Sequence, residues 1–177
     1  MFLSLTIIAV VAGAVLALVS SVTATPIENA KIEKKKAAIK AVLPDFERLE
    51  TETIDGAECN KAYDASGQLV GVAVEAGSDA GFGGHLGVMV GFDQAGSITG
   101  YQILETSETP GLGAKAGEWF QKDGKGSVIG MNPGTNNITV KKDGGEVDAI
   151  SGSTITSRAF CGSIAAAYEI FKKGGNE

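Results

Sequence analysis

The chain has 177 residues, with one long apolar stretch at its N-terminal end and enough length beyond it for a domain with a real core. Its formal charge of −6 argues against a nucleic-acid partner, which calls for a basic patch or stripe, and aromatic residues at only 6% make a base-stacking platform unexpected. The 25 glycines are scattered without a collagen-like repeat, which points to a turn-rich β or α+β domain.

Phe2 to Ala24 contains no charged residue. About 20 residues of helix cross a hydrocarbon core, so residues 1–24 are expected to form a transmembrane anchor. The competing reading is a cleaved signal peptide, with Val22-Thr23-Ala24 as a passable cleavage site. The apolar run exceeds a usual h-region and lacks a basic n-region, so a retained anchor is favoured. Lys31, Lys34, Lys35 and Lys36 follow the span, and a positive-inside count places that side in the cytoplasm.

Residues 25–44 read as a juxtamembrane helix. Ile32, Ile39 and Leu43, with Ala37, Ala38 and Ala41, give it a partial apolar face, and Pro44 ends it. Lys34-Lys35-Lys36 form a solvated face or a lipid-headgroup contact.

The texture changes from Phe46 onward to short segments with turn signals, and residues 45–177 form the candidate domain. Strands are predicted over Arg48–Ile54, Glu58–Tyr63, Leu69–Glu75, Leu86–Phe92, Ile98–Leu104, Ile138–Lys142 and Val147–Ile150. Asp64-Ala65-Ser66-Gly67, Asp93-Gln94-Ala95-Gly96 and Asp143-Gly144-Gly145 suit tight reversals. A short helix is predicted near Ala114–Gln121. The fold class is α+β: an N-terminal transmembrane helix, then one mostly antiparallel sheet with flanking helices.

Two glycine-rich loops interrupt this plan. Gly81-Phe82-Gly83-Gly84 reads by itself as a turn between strands. Glu108-Thr109-Pro110-Gly111-Leu112-Gly113 reads by itself as a Pro-Gly turn after a strand. The two cysteines, Cys59 and Cys161, show no metal-ligand spacing, and no metal site is expected. A disulfide between them is open if the domain lies outside the cytoplasm. The single histidine, His85, receives no role.

The last helix is predicted from about Thr156 to Lys172, since Phe160, Ile164, Ala167, Tyr168 and Phe171 fall at helical spacing. Gly174 and Gly175 are its expected stop. Ser151, Ser153, Thr154 and Thr156 crowd its start around Gly152. A helix N-terminus with free N–H groups favours an anion such as phosphate. The bland alternative is an ordinary Ser/Thr helix cap.

The order of residues goes further. Asp148-x-x-Ser151-Gly152-Ser153-Thr154 resembles the flavinylation motif, whose final threonine is esterified to FMN phosphate. Ser153 stands where alanine is commoner. The continuation Ile155-Thr156-Ser157-Arg158-Ala159 resembles the RnfG subunit of the Rnf electron-transport complex, and more loosely the NqrC subunit of the Na⁺-pumping quinone reductase. Glu108-Thr109-Pro110-Gly111-Leu112-Gly113 is similar to the loop that faces the isoalloxazine ring in both. The counterpart of Gly81-Phe82-Gly83-Gly84 in that family also sits near the flavin.

The resemblance implies covalent FMN on Thr154, with Glu108, Thr109, Gly111, Leu112, Gly113, Ser151, Gly152, Ser153 and Thr156 around it. Asp148 would serve transferase recognition or capping. It implies a separate Mg²⁺-dependent flavin transferase using FAD, and the other Rnf subunits as partners. It also implies an extracytoplasmic flavin domain, against the lysine count. In such a complex, electron flow from ferredoxin to NAD⁺ is coupled to Na⁺ or H⁺ transport, and the single subunit is a carrier rather than an enzyme by itself. An NqrC-like subunit and a non-redox membrane-anchored binding module are the alternative readings.

Overall fold

A computed structural model describes residues 2–174. Phe2–Val42 form one helix, α1. Its N-terminal part is long and apolar enough to cross a membrane, with mean hydropathy 2.7 over its most apolar window and none of that window buried. The expected division between an anchor and a juxtamembrane helix is not marked by a break. Pro26 lies inside α1, where its missing N–H removes one hydrogen bond from the helical ladder. Contacts divide the chain into two units, one running to Lys36 and the other beginning at Ala37.

The second unit is built on a five-stranded antiparallel sheet of β1 (Arg48–Ile54), β2 (Ala57–Tyr63), β3 (Leu69–Gly81), β4 (Gly84–Phe92) and β5 (Ile98–Thr106). The strands lie side by side in chain order, so every connection is a hairpin. Aspartates hold two of the reversals. Asp64 Oδ1 accepts the N–H groups of Ser66 and Gln68 at 2.8 and 2.9 Å, and Asp93 Oδ1 accepts those of Ala95 and Ser97 at 2.9 and 2.8 Å.

Alternation along the strands sends side chains to two faces. Val72, Val74, Val88 and Val90 join the larger core beneath α3 (Thr154–Gly174), which contributes Phe160, Ile164, Ala167 and Phe171. On the opposite face Ala73 and Met89 meet Ala38, Ile39 and Val42 from the end of α1. β1 is exposed along nearly its whole length and carries Arg48, Glu50 and Glu52, the charged pattern that protects a sheet edge.

A second set of contacts fixes the segment after β5. Tyr101 is fully buried, and its hydroxyl donates to the carbonyl of Ala116 at 2.6 Å, at the start of the short helix α2 (Ala116–Trp119). Phe120 then stacks on Phe160 of α3 with ring centroids 4.2 Å apart. The loop leaving β5 is thereby tied to the helix that follows the Ser/Thr-rich turn.

Several boundaries differ from expectation. β3 and β4 extend to Gly81 and back to Gly84, so the glycine-rich Gly81–Gly84 loop is the tip of a long hairpin. The short helix predicted over Ala114–Gln121 is a 3₁₀ turn, Gly113–Lys115, followed by α2. Ile138–Lys142 and Val147–Ile150 do not form strands. Val140 and Val147 make one isolated parallel bridge, with a 3₁₀ turn at Lys141–Asp143 between them.

The apolar residues of that segment are single anchors into the core, and its backbone groups are satisfied locally. The N–H of Lys141 donates to Val147, and those of Val147 and Glu146 donate to Thr139 and Asn137. The last helix starts at Thr154 rather than Thr156 and includes Gly174. The part of its expected stop that falls on Gly175 lies outside the described residues. Cys59 and Cys161 are both buried and free, so the disulfide left open by the sequence is not formed.

Candidate functional site

Three loops converge on a cavity of about 380 Å³. The tip of the β3–β4 hairpin supplies Phe82, and the loop after β5 supplies Glu108, Thr109, Leu112 and Gly113. The entry to α3 supplies Gly152, Ser153, Thr154, Ile155 and Thr156, and Lys142 reaches the cavity from the 3₁₀ turn at Lys141–Asp143. Small-molecule sites occupy roughly 300–1,000 Å³, so this one suits a single organic ligand.

The turn into α3 is stiffly held. Gly152 takes φ 77, the left-handed conformation open to glycine without strain. The Ser153 N–H then donates to the Ile150 carbonyl at 3.0 Å. Ser157 closes the turn from within the helix: its hydroxyl accepts the Ile150 N–H and donates to the Ser153 carbonyl, both at 2.9 Å. Thr154 is left half-buried as the first helical residue, facing the cavity at the positive end of a 21-residue helix.

The cavity lining includes buried polar groups. Glu108 Oε1 and Thr156 Oγ1 are buried without a hydrogen-bond partner among the described residues. Such groups carry a desolvation cost of about 1–3 kcal/mol each until something pairs with them. They converge at Gly113: a methyl group there would come within 2.7 Å of Thr156 Oγ1 and closer still to the Glu108 carboxylate. The lining is also apolar in part. Beyond α1, the exposed large hydrophobic residues among those described are Leu49, Phe82, Leu112 and Ile155, and all but Leu49 line this cavity. Phe82 is 71% exposed, so the rim offers apolar surface that none of the described residues covers.

Of the residues singled out in the sequence, Glu108, Thr109, Leu112, Gly113, Gly152, Ser153, Thr154 and Thr156 share this cavity. Gly111 and Ser151 do not line it; both sit in the turns that carry those that do. Lys142, Ile155 and Ser157 received no individual role from the sequence, although Ile155 and Ser157 lie within the quoted motif. Asp148 does not cap α3. Its carboxylate pairs with Lys141 at 2.7 Å, and its carbonyl accepts the Trp119 Nε1–H at 2.8 Å. His85 lies outside the cavity lining, with Nδ1 2.6 Å from Asp79 Oδ1.

An α+β domain that follows a long apolar helix in the chain, with a partly apolar cavity at a helix N-terminus, has the features of a small-molecule-binding domain. The FMN-binding domain family matches residues 81–169, a span that holds the whole cavity lining. The chain is 32% identical over 190 residues to the G subunit of the Na⁺-translocating ferredoxin:NAD⁺ oxidoreductase complex of Acetobacterium woodii, covering 96% of this chain and 89% of that protein. It is 34% identical over 176 residues to the G subunit of the ion-translocating oxidoreductase complex of Methanosarcina acetivorans, covering 94% and 90%. Among solved structures, Shewanella oneidensis NqrC aligns with TM-score 0.47 and 22% identity over 75% of this chain and 70% of that one. The chain belongs to the RnfG family of ion-translocating oxidoreductase complexes, whose domain is the FMN-binding domain.

Proposed function

We propose that the chain is the membrane-anchored electron-transfer subunit of an Rnf-type ferredoxin:NAD⁺ oxidoreductase complex, and that it carries FMN through a phosphate ester to Thr154. The observation that carries this reading is the cavity itself, which joins a hydroxyl at a helix N-terminus to two buried, unpartnered polar groups and an apolar rim. A turn that merely capped α3 would leave Glu108 and Thr156 desolvated for no return.

FMN, when bound, supplies reversible one- and two-electron transfer. The residues present suit it. Phe82, Leu112 and Ile155 offer apolar contact to a planar ring, and Glu108 is an acceptor for a ring N–H or a ribityl hydroxyl. Thr156 can donate or accept, and the N-terminal N–H groups of α3 favour the phosphate. A threonine hydroxyl is a weak nucleophile, so attachment is assigned to a separate flavin transferase acting on FAD. In that step the Thr154 Oγ1–P bond forms, the pyrophosphate P–O bond of FAD breaks, and AMP departs. The hydroxyl proton leaves to a base of the transferase.

As a carrier, the subunit exchanges electrons with neighbouring subunits of the complex. The flavin domain is proposed to lie outside the cytoplasm, where a covalent bond prevents loss of a cofactor that could not be replaced. Protein purified from cells containing an active flavin transferase should show a flavin absorbance spectrum and in-gel fluorescence that survives denaturation. A colourless protein would reject the flavoprotein reading.

A further inference from the structure

We infer that Lys142 is the cation that holds the phosphate carried on Thr154, and that Asp148 and Arg158 act by presenting it. This inference rests on the reading of Thr154 as the attachment site.

The 3₁₀ turn at Lys141–Asp143 is tied at both ends to the segment bearing Thr154. Lys141 Nζ pairs with Asp148 Oδ2 at 2.7 Å, ahead of the turn into α3. Asp143 binds Arg158 inside α3 through two parallel contacts, Nε to Oδ2 at 2.7 Å and Nη2 to Oδ1 at 2.8 Å. A two-point arginine–carboxylate contact fixes direction as well as distance. Such exposed pairs contribute little to global stability. Their effect here is geometric, because they hold the residue between them.

That residue is Lys142, which lines the cavity with Thr154. It makes no hydrogen bond or ion pair among the described residues, whereas its neighbours on both sides are neutralised by their partners. Lys142 thus brings an ammonium to the cavity beside the positive end of α3, where the other charged side chain in the lining is the Glu108 carboxylate, assigned above to the ring or ribityl part of the ligand. A second observation points to a ligand at that end: the Thr156 hydroxyl is 99% buried, faces the cavity and is unpartnered. A phosphodiester carries one negative charge, which one lysine at the entry to α3 matches. Asp148 is a positioning residue in this scheme, which explains how an acidic side chain can stand six residues from a phosphate without repelling it: its charge is already spent on Lys141.

The test uses full-length protein produced with a flavin transferase, read by intact mass and by the ³¹P resonance of the attached phosphate. Lys142→Ala should displace that resonance and slow attachment about two- to five-fold at limiting transferase, the range of a partly exposed ion pair. Lys142→Arg should restore both, and Lys122→Ala, at an exposed lysine outside the cavity lining, should change neither. Asp148→Asn should shift the resonance in the same sense, and should add nothing in a Lys142→Ala background. A wild-type resonance and attachment rate in Lys142→Ala would overturn the inference while leaving the attachment site intact. Additive effects of Asp148→Asn and Lys142→Ala would overturn the positioning role. Wild type that remains unmodified would overturn the attachment reading and this inference with it.

Discussion

The side chain of Ser157 accepts a hydrogen bond from the backbone N–H of Ile150 at 2.9 Å, spanning the turn that presents Thr154. The same hydroxyl donates to the Ser153 carbonyl, so one buried oxygen sets both sides of the turn. Ser157→Ala removes it and leaves a buried N–H without a partner, at a cost of about 1–3 kcal/mol. Chemical denaturation in detergent should show that loss. Flavin attachment should fall with it, since Thr154 is no longer held at a fixed angle to the cavity.

Two glycines of one loop should fail for different reasons. Gly113 is a matter of space, since an added methyl collides with Glu108 and Thr156. Gly113→Ala should destabilise the domain by about 1–3 kcal/mol and alter the flavin absorbance spectrum, because both polar groups of the cavity must shift. Gly111 is a matter of backbone conformation: φ is 78 and nothing lies near an added methyl. Gly111→Ala should cost about 1–2 kcal/mol with attachment at Thr154 retained. Thermal unfolding and visible spectra of the two variants separate these cases.

Much of this plan is legible in the sequence, and what is not has a physical cause. Strands β2 to β5 are announced by their apolar residues and by Asp- or Gly-containing turns, and the helix by the spacing of Phe160, Ile164 and Phe171. Glu108 to Gly113 and Ser151 to Thr156 could be linked only through resemblance, because periodicity says nothing about which loops meet in space. Ile138 to Ile150 misled for a related reason. Two apolar residues separated by one polar residue fit a strand, yet they also fit two anchors of an irregular segment, as Ile138 and Val140 prove to be. Lys142 had no local signal at all. Its place follows from ion pairs made by the residues beside it.

The Asp143–Arg158 contact gives a pH dependence. The guanidinium holds the Asp143 carboxyl below the usual carboxylate range, chiefly through its hydrogen bonds. A carboxyl with a depressed folded value contributes its stabilisation fully above the ordinary value of about 4, and loses it as pH falls through the folded value. The turn carrying Lys142 should therefore stay fixed at neutral pH and loosen only in acid. Arg158→Ala should return the Asp143 titration, followed by carboxyl-carbon NMR, towards the ordinary range. An unchanged titration would show that Arg158 does not hold this turn in solution.

Orientation across the membrane can be read with thiol chemistry, because the native thiols are silent. Cys59 and Cys161 are buried, and burial pushes the Cys161 thiol up to about 12, so neither should react at pH 8 in the folded protein. Gln68 lies exposed in the β2–β3 turn, and Gln68→Cys supplies one accessible thiol. A membrane-impermeant maleimide should label Gln68→Cys in cells whose cytoplasmic membrane is intact, and leave wild type unlabelled. Labelling only after that membrane is permeabilised would place the domain in the cytoplasm.

Intact-mass spectrometry tests most directly whether Thr154 carries the flavin. Wild type made with a flavin transferase should gain the mass of FMN less one water. Thr154→Val, which removes the hydroxyl at nearly constant volume, should fold and gain nothing. Ser151→Ala, Ser153→Ala and Thr156→Val should each retain part of the attachment, since those hydroxyls position the turn or line the cavity. Peptide mapping of the wild type should place the added mass on Thr154. Full attachment in Thr154→Val, or FMN mapped to Thr156 or Ser153, would contradict the account.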